Sequence, residues 1–111
     1  MPEHGEELFA SVKKRFSDAS NVTVTQGKVP GVLAEVSPRK IAFMHVALNN
    51  AEAEVGALEV LFDRMVPGAV LVIDDYGWMA YRAQKLAEDS WFEKRGYRVL
   101  ELPTGQGLAI K

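Results

Sequence analysis

The sequence predicts an α/β fold whose sheet is mostly parallel and closes with an antiparallel hairpin. Three observations support this prediction: helical and strand patterns alternate along the 111 residues, two strands are unbroken apolar runs, and a short turn joins the last two strands. Alternation is typical of doubly wound sheets with right-handed crossovers. Unbroken apolar runs indicate strands buried on both faces, and so short a turn excludes a parallel crossover.

The first half of the chain is expected to form two helices and two strands. Residues 6–17 carry apolar side chains at helical spacing and a basic last turn, which suits the helix dipole. Residues 22–26 are β-branched and alternating, as in a strand. Residues 29–36 are expected to add about two helical turns, and residues 41–47 a buried strand.

The second half is expected to form two helices and three strands, at residues 51–65, 69–73, 78–94, 97–102 and 108–111. Residues 49–52 resemble a capping box at the start of the first of these helices, and Pro67-Gly68 is expected to end it. Leu86 and Trp91 are expected on the buried side of the second helix.

The composition narrows the class of protein. The net charge of −2 argues against nucleic acid or an anionic membrane as a partner, because both bind basic patches. The absence of cysteine excludes disulfides and thiolate metal sites. No segment reaches membrane-spanning length and the acidic start has no apolar signal core, so a cytoplasmic protein is expected.

Residues 69–77 organise the rest of the chain, because five apolar residues lead there directly into Asp74 and Asp75. In parallel sheets, ligand sites lie just beyond the carboxyl ends of the strands. The two acids are therefore candidate site residues. The alternative is that one acid caps the following helix and the other is solvated, and this segment alone does not decide between the two.

A family resemblance rests on three segments, residues 43–49, 66–77 and 102–108. The double acid followed by Tyr-Gly, combined with the Pro-Thr-Gly-Gln-Gly turn, resembles the macrocin O-methyltransferase family (TylF/MycF type) of class I S-adenosylmethionine-dependent methyltransferases. The resemblance covers residues 8–111 and only the C-terminal half of the family's fold. It implies a partial Rossmann-like methyltransferase sheet that lacks its first two strands, in a single truncated domain over residues 1–111.

The resemblance also implies a site at the carboxyl edge of the sheet. Asp74 and Asp75 would be two of three acidic ligands of Mg²⁺, and the ion would hold an acceptor hydroxyl. His45, at the start of the matching His-x-Asp motif, is the candidate catalytic residue, and the alternative is a hydrogen-bonded core histidine. Asn49 and Tyr76 are candidate substrate contacts.

The sequence departs from the family in two ways. Ala47 stands where the third acid belongs, and the glycine-rich loop and the acid that bind the adenosyl cofactor have no counterpart in the sequence. Gln26 and Gly27 are the residues left to contact the cofactor. S-adenosylmethionine and Mg²⁺ are therefore expected to bind weakly or not at all.

These departures leave three hypotheses for the function. The first is a methyltransferase-like protein that keeps the acceptor and metal half of the site, is inactive on its own and binds a small hydroxylated ligand. The second is an active O-methyltransferase completed by another subunit, and the third is a non-enzymatic interaction module. Missing strands would leave edges unpaired at residues 22–26 and 41–47, so a homodimer or a higher homo-oligomer is expected.

Overall fold

The computed structural model describes residues 2–48, 50–74 and 82–111, which include four α-helices and four β-strands. The helices are α1 (Pro2–Arg15), α2 (Leu33–Val36), α3 (Ala51–Leu61) and α4 (Arg82–Glu93), with a 3-10 turn at Phe62–Arg64 after α3. The strands are β1 (Ile41–Val46), β2 (Met65–Ile73), β3 (Leu100–Glu101) and β4 (Gly107–Ile110). None of the described helices is long and apolar enough to cross a membrane.

The four strands form one mixed sheet in the order β1-β2-β4-β3. β1 and β2 are parallel, whereas β4 is antiparallel to both β2 and β3. The α/β class and the C-terminal antiparallel hairpin are confirmed. The mostly parallel sheet is not confirmed, because β4 lies between β2 and β3 and makes two of the three described strand pairs antiparallel.

The strand predicted at residues 22–26 is wrong, because this segment is irregular in the structure. Val22 is 40% exposed, and the segment pairs with none of the described strands. The β-propensity of a segment depends on its neighbours, so a β-branched run without a partner strand gains no ladder hydrogen bonds. The helix predicted at residues 29–36 is also shorter, because α2 covers only its last turn.

The start of α3 depends on Asn50. Its side chain accepts a hydrogen bond from the backbone N–H of Ala53 at 3.0 Å, which satisfies one of the free donors at a helix start. The residue three positions after this cap is Ala53 rather than an acid, so Asn50 forms no reciprocal capping box. The cap predicted one residue earlier, Asn49, lies outside the described residues.

The end predicted for α3 at Pro67-Gly68 is wrong, because both residues lie within β2. The register of β2 against β1 shifts at this point. Ile41 lies opposite Met65, whereas the pair that follows joins Phe43 to Val70, so β2 contains extra residues between the two pairs. Gly68 has a φ of +87°, which glycine adopts without a steric penalty. Pro67 is tolerated because an irregular strand position does not need its N–H for the ladder.

The helices α3 and α4 cover one face of the sheet with an apolar core. The ring of Phe62 lies at its centre and meets Trp91, Phe92 and Tyr97 edge-on, at centroid distances of 5.2, 5.7 and 5.1 Å. Edge-to-face aromatic pairs add stabilisation beyond the burial of apolar area. This aromatic cluster fixes α4 against α3 and β2.

The inward side of α4 carries an unexpected acid. Trp91 is buried as predicted, but Leu86 is 57% exposed and Glu88 is only 1% exposed. Within the described residues, neither carboxyl oxygen of Glu88 has a hydrogen-bond partner. Burial first, and then the negative charges of Glu54 and Asp89, raise the pKa of Glu88 to about 8.

Candidate functional site

The carboxyl ends of β1 and β2 lie side by side. The N–H of Asp74 donates to the carbonyl oxygen of Val46 at 2.9 Å, so the two strands stay paired to their ends. Val46 lies opposite Ile73 in the register, which makes Ala47 and Asp74 the next neighbouring positions. Ala47 therefore places an exposed methyl group where a second acid would stand beside Asp74.

His45 and Asp74 lie close together at this edge. The Nε2 atom of His45 is 3.7 Å from the Oδ1 atom of Asp74, and the two side chains are 45% and 36% exposed. This exposure excludes the alternative of a buried core histidine. An accessible imidazole beside a carboxylate can take a proton from a bound ligand or return one to it.

Gln106 contacts Asp74 from the turn between β3 and β4. Its side-chain Nε2 donates to the Oδ1 atom of Asp74 at 2.9 Å. The turn holds the glutamine in place, because its backbone carbonyl accepts from the N–H of Leu102 at 2.8 Å and its Oε1 accepts from the hydroxyl of Thr104 at 3.1 Å. We call His45, Asp74 and Gln106 the polar cluster.

The sequence prediction missed Gln106, because residues 105–107 were interpreted only as a turn. A signal for it existed in the predicted hairpin. Gly107 of β4 lies opposite Ile73 of β2 in an antiparallel pair, so the residue before Gly107 must lie beside the residue after Ile73. The sequence analysis did not predict that β4 pairs with β2, and without this pairing Gln106 cannot be placed beside Asp74.

An open apolar pocket adjoins the polar cluster at the end of β1. Its volume is about 130 Å³, and its lining includes Val29 and Leu33 before β1 and Ala47 and Leu48 after it. Binding sites for small molecules commonly enclose about 300–1,000 Å³. By this comparison the pocket accommodates only part of a typical ligand.

The remaining predicted site residues are not part of this cluster. Three of them lie outside the described residues, and their roles stay predictions: Asn49, Asp75 and Tyr76. Gln26 and Gly27 are exposed in the irregular segment before α2. A Cβ on Gly27 would lie 2.6 Å from a methyl carbon of Val32, so glycine is needed for this close approach. The predicted contact of Gln26 and Gly27 with an adenosyl group stays a prediction.

The residues that the structure describes do not by themselves fit a magnesium ion. Among residues 2–48, 50–74 and 82–111 there is no group of three His, Asp or Glu side chains that could hold a metal. The polar cluster offers one carboxylate, one imidazole and one amide, whereas Mg²⁺ prefers a set of oxygen ligands. The Asp74–Asp75 metal pair stays a prediction.

The fold is similar to that of a known methyltransferase. No family model matches the sequence, and no curated protein matches it. Among solved structures, the apo structure of CalS11, a TDP-rhamnose 3′-O-methyltransferase and an enzyme in calicheamicin biosynthesis, superposes with a TM-score of 0.72 over 91% of this chain, at 19% identity. The chain spans 50% of the length of that enzyme. The fold is therefore methyltransferase-like, and at this identity the similarity carries the fold alone.

Proposed function

We propose that these 111 residues carry the acceptor side of an O-methyltransferase site and do not transfer a methyl group on their own. The observation that carries the proposal is the convergence of His45, Asp74 and Gln106 at the carboxyl edge of the sheet. This edge is where Rossmann-like sheets bind their ligands. The methyltransferase-like fold and the sequence resemblance to macrocin O-methyltransferases support the same assignment.

Each member of the polar cluster has a chemical role in this proposal. Asp74 accepts a hydrogen bond from an acceptor hydroxyl and keeps its position through Gln106. His45 takes the proton of that hydroxyl, which raises the nucleophilicity of its oxygen. S-adenosylmethionine, when bound, would supply an electrophilic methyl group. Ala47 brings no oxygen to a metal, so these roles belong to protein side chains.

The ligand class follows from the size and polarity of the site. An exposed cluster that offers a carboxylate, an imidazole and an amide suits a small ligand with neighbouring hydroxyl groups, such as a sugar or a catechol. The adjoining pocket of about 130 Å³ is apolar and holds at most a fragment of an adenosyl group. We therefore expect acceptor binding without tight cofactor binding.

A second candidate function is an active O-methyltransferase site that another subunit completes. The observation that favours it is that the pocket is smaller than a usual ligand site and that the chain spans half the length of the similar enzyme. In that case the cofactor would bind only when the other part of the site is present.

The acceptor site is tested by nuclear magnetic resonance titration with rhamnose and with catechol. We expect shifts of the backbone signals of His45, Asp74 and Gln106 at millimolar ligand, which corresponds to about 4 kcal/mol of binding free energy. Asp74→Asn and Gln106→Leu should weaken these shifts, whereas Asp63→Asn, an exposed acid far from the cluster in the 3-10 turn, should not. Shifts that are absent, or unchanged in both cluster variants, would contradict the proposal.

A further inference from the structure

Among the described residues, no helix packs on one face of the sheet, and this face is largely apolar. Two rows of neighbouring residues run across its strands. The first row is Phe43, Val70 and Ile110, and the second is Val72, Leu108 and Leu100, which starts next to His45 of the polar cluster. Residues that are paired across neighbouring strands project to the same face, and none of the apolar members of these rows belongs to the core under α3 and α4. We call these two rows the open face.

The open face exposes large apolar side chains. Phe43, Leu100 and Ile110 are 62%, 61% and 59% exposed. Sheets of α/β proteins are normally covered on both faces by helices, and contiguous apolar patches on a protein surface mark interaction sites. The open face is therefore expected to be a contact surface for another protein segment.

The helix α1 also exposes apolar side chains. Its apolar stripe includes Leu8 and continues to Phe16 just beyond the helix, and these side chains are 65% and 42% exposed. Among residues 6–15, none belongs to the buried core or packs against it. α1 is therefore an amphipathic helix whose apolar side does not pack on the buried core of the described residues.

We infer that two copies of this chain pair by placing α1 of each copy on the open face of the other. The five large side chains named above expose about 100 Å² each, given about 200 Å² for a large side chain. Two copies therefore offer about 1,000 Å², the size at which specific interfaces begin. In a two-fold arrangement, the open face and α1 of each copy are both covered by the other copy.

Length and charge fit the same arrangement and give α1 a direction. Fourteen residues of helix are about 21 Å long, and the six residues of β1 span about 20 Å. The start of α1 carries the acids Glu6 and Glu7, and its last turn is basic. On the sheet, Arg39 and Lys40 immediately precede β1. Opposite charges meet when α1 runs parallel to β1 of the other copy.

The first test is the mass of the protein in solution by sedimentation. We expect twice 12.3 kDa at about 100 µM protein, where a complex with a micromolar dissociation constant is largely assembled. Phe43→Lys on the open face and Leu8→Lys on α1 should each weaken the dimer by at least about tenfold, because each places a charge in an apolar contact. Leu86→Lys is the matched control: Leu86 is 57% exposed on α4, across the sheet from the open face, and its replacement should leave the dimer intact.

Three results would overturn the inference. A mass of 12.3 kDa for the unchanged protein would exclude the dimer. A dimer that survives Leu8→Lys would mean that α1 does not cover the open face. Charge reversal tests the direction: Glu6→Lys with Glu7→Lys should weaken the dimer, and adding Arg39→Glu with Lys40→Glu should restore it, whereas failure to restore would exclude the parallel arrangement.

Discussion

At the scale of single residues, Asp74 connects the parts of the candidate site. Its N–H binds the end of β1, and its Oδ1 atom accepts from Gln106 and lies 3.7 Å from His45. The sequence indicates Asp74 through its place at the carboxyl end of a buried strand, whereas His45 is a candidate through the family resemblance. Gln106 was not predicted, because its contact spans 32 residues and depends on which strand β4 joins.

Restoring an acid at position 47 tests the geometry of this edge. Ala47→Asp is expected to strengthen Mg²⁺ binding by roughly tenfold, because it adds a second carboxylate beside Asp74 and ligand charge controls the affinity for hard cations. Calorimetric titration with MgCl₂ measures the change. Ala42→Asp, an exposed position near the other end of β1, is the control and should bind Mg²⁺ like the unchanged protein. Equal affinity in Ala47→Asp and in the control would show that position 47 does not face Asp74.

At the scale of helices and strands, the buried side of α4 differs from the prediction. The sequence places Leu86 on the buried side, yet Leu86 is exposed, and Glu88, for which the sequence makes no prediction, is buried. The rotation of the helix is set by Trp91 and Phe92, which pack edge-on against Phe62. Since Glu88 lies three and four residues before these rings, it shares their face. Large aromatic contacts therefore outweighed the preference of one acid for water.

The buried acid makes the stability of the fold dependent on pH. The folded chain holds the proton of Glu88 up to about pH 8, whereas the usual pKa is 4.5. The unfolded chain thus binds fewer protons between these values, and the free energy of unfolding falls as the pH rises through this window and levels off above it. The total fall is at most about 5 kcal/mol, at about 1.4 kcal/mol for each pKa unit.

Urea unfolding of Glu88→Gln at pH 5, 6.5 and 8 measures this effect. The unchanged protein is expected to lose stability over the series, and Glu88→Gln should flatten the profile and be the more stable of the two at pH 8. Glu93→Gln, an exposed acid on the same helix, is the control and should keep the original slope. A profile for Glu88→Gln that is as steep as that of the unchanged protein would place the titrating group elsewhere.

At the scale of the whole molecule, the chain is a mixed sheet with helices packed on one face and a polar cluster at one edge. Strand alternation was enough to predict the α/β class and the final hairpin, because both depend on local pattern and on the length of one turn. The strand predicted at residues 22–26 is wrong, because β-propensity forms a strand only beside a neighbour, and the described sheet provides none there. The fold is similar to that of an O-methyltransferase, and the acceptor role of the polar cluster is the proposal that remains to be tested.

Calorimetric titration of the purified chain with S-adenosylhomocysteine tests this role most directly. The proposed acceptor side has a small apolar pocket beside it. We therefore predict no measurable heat at about 100 µM protein, which means a binding free energy weaker than roughly 6 kcal/mol. Micromolar binding, or turnover of S-adenosylmethionine by the same sample, would contradict the proposal and establish a complete methyl-transfer site.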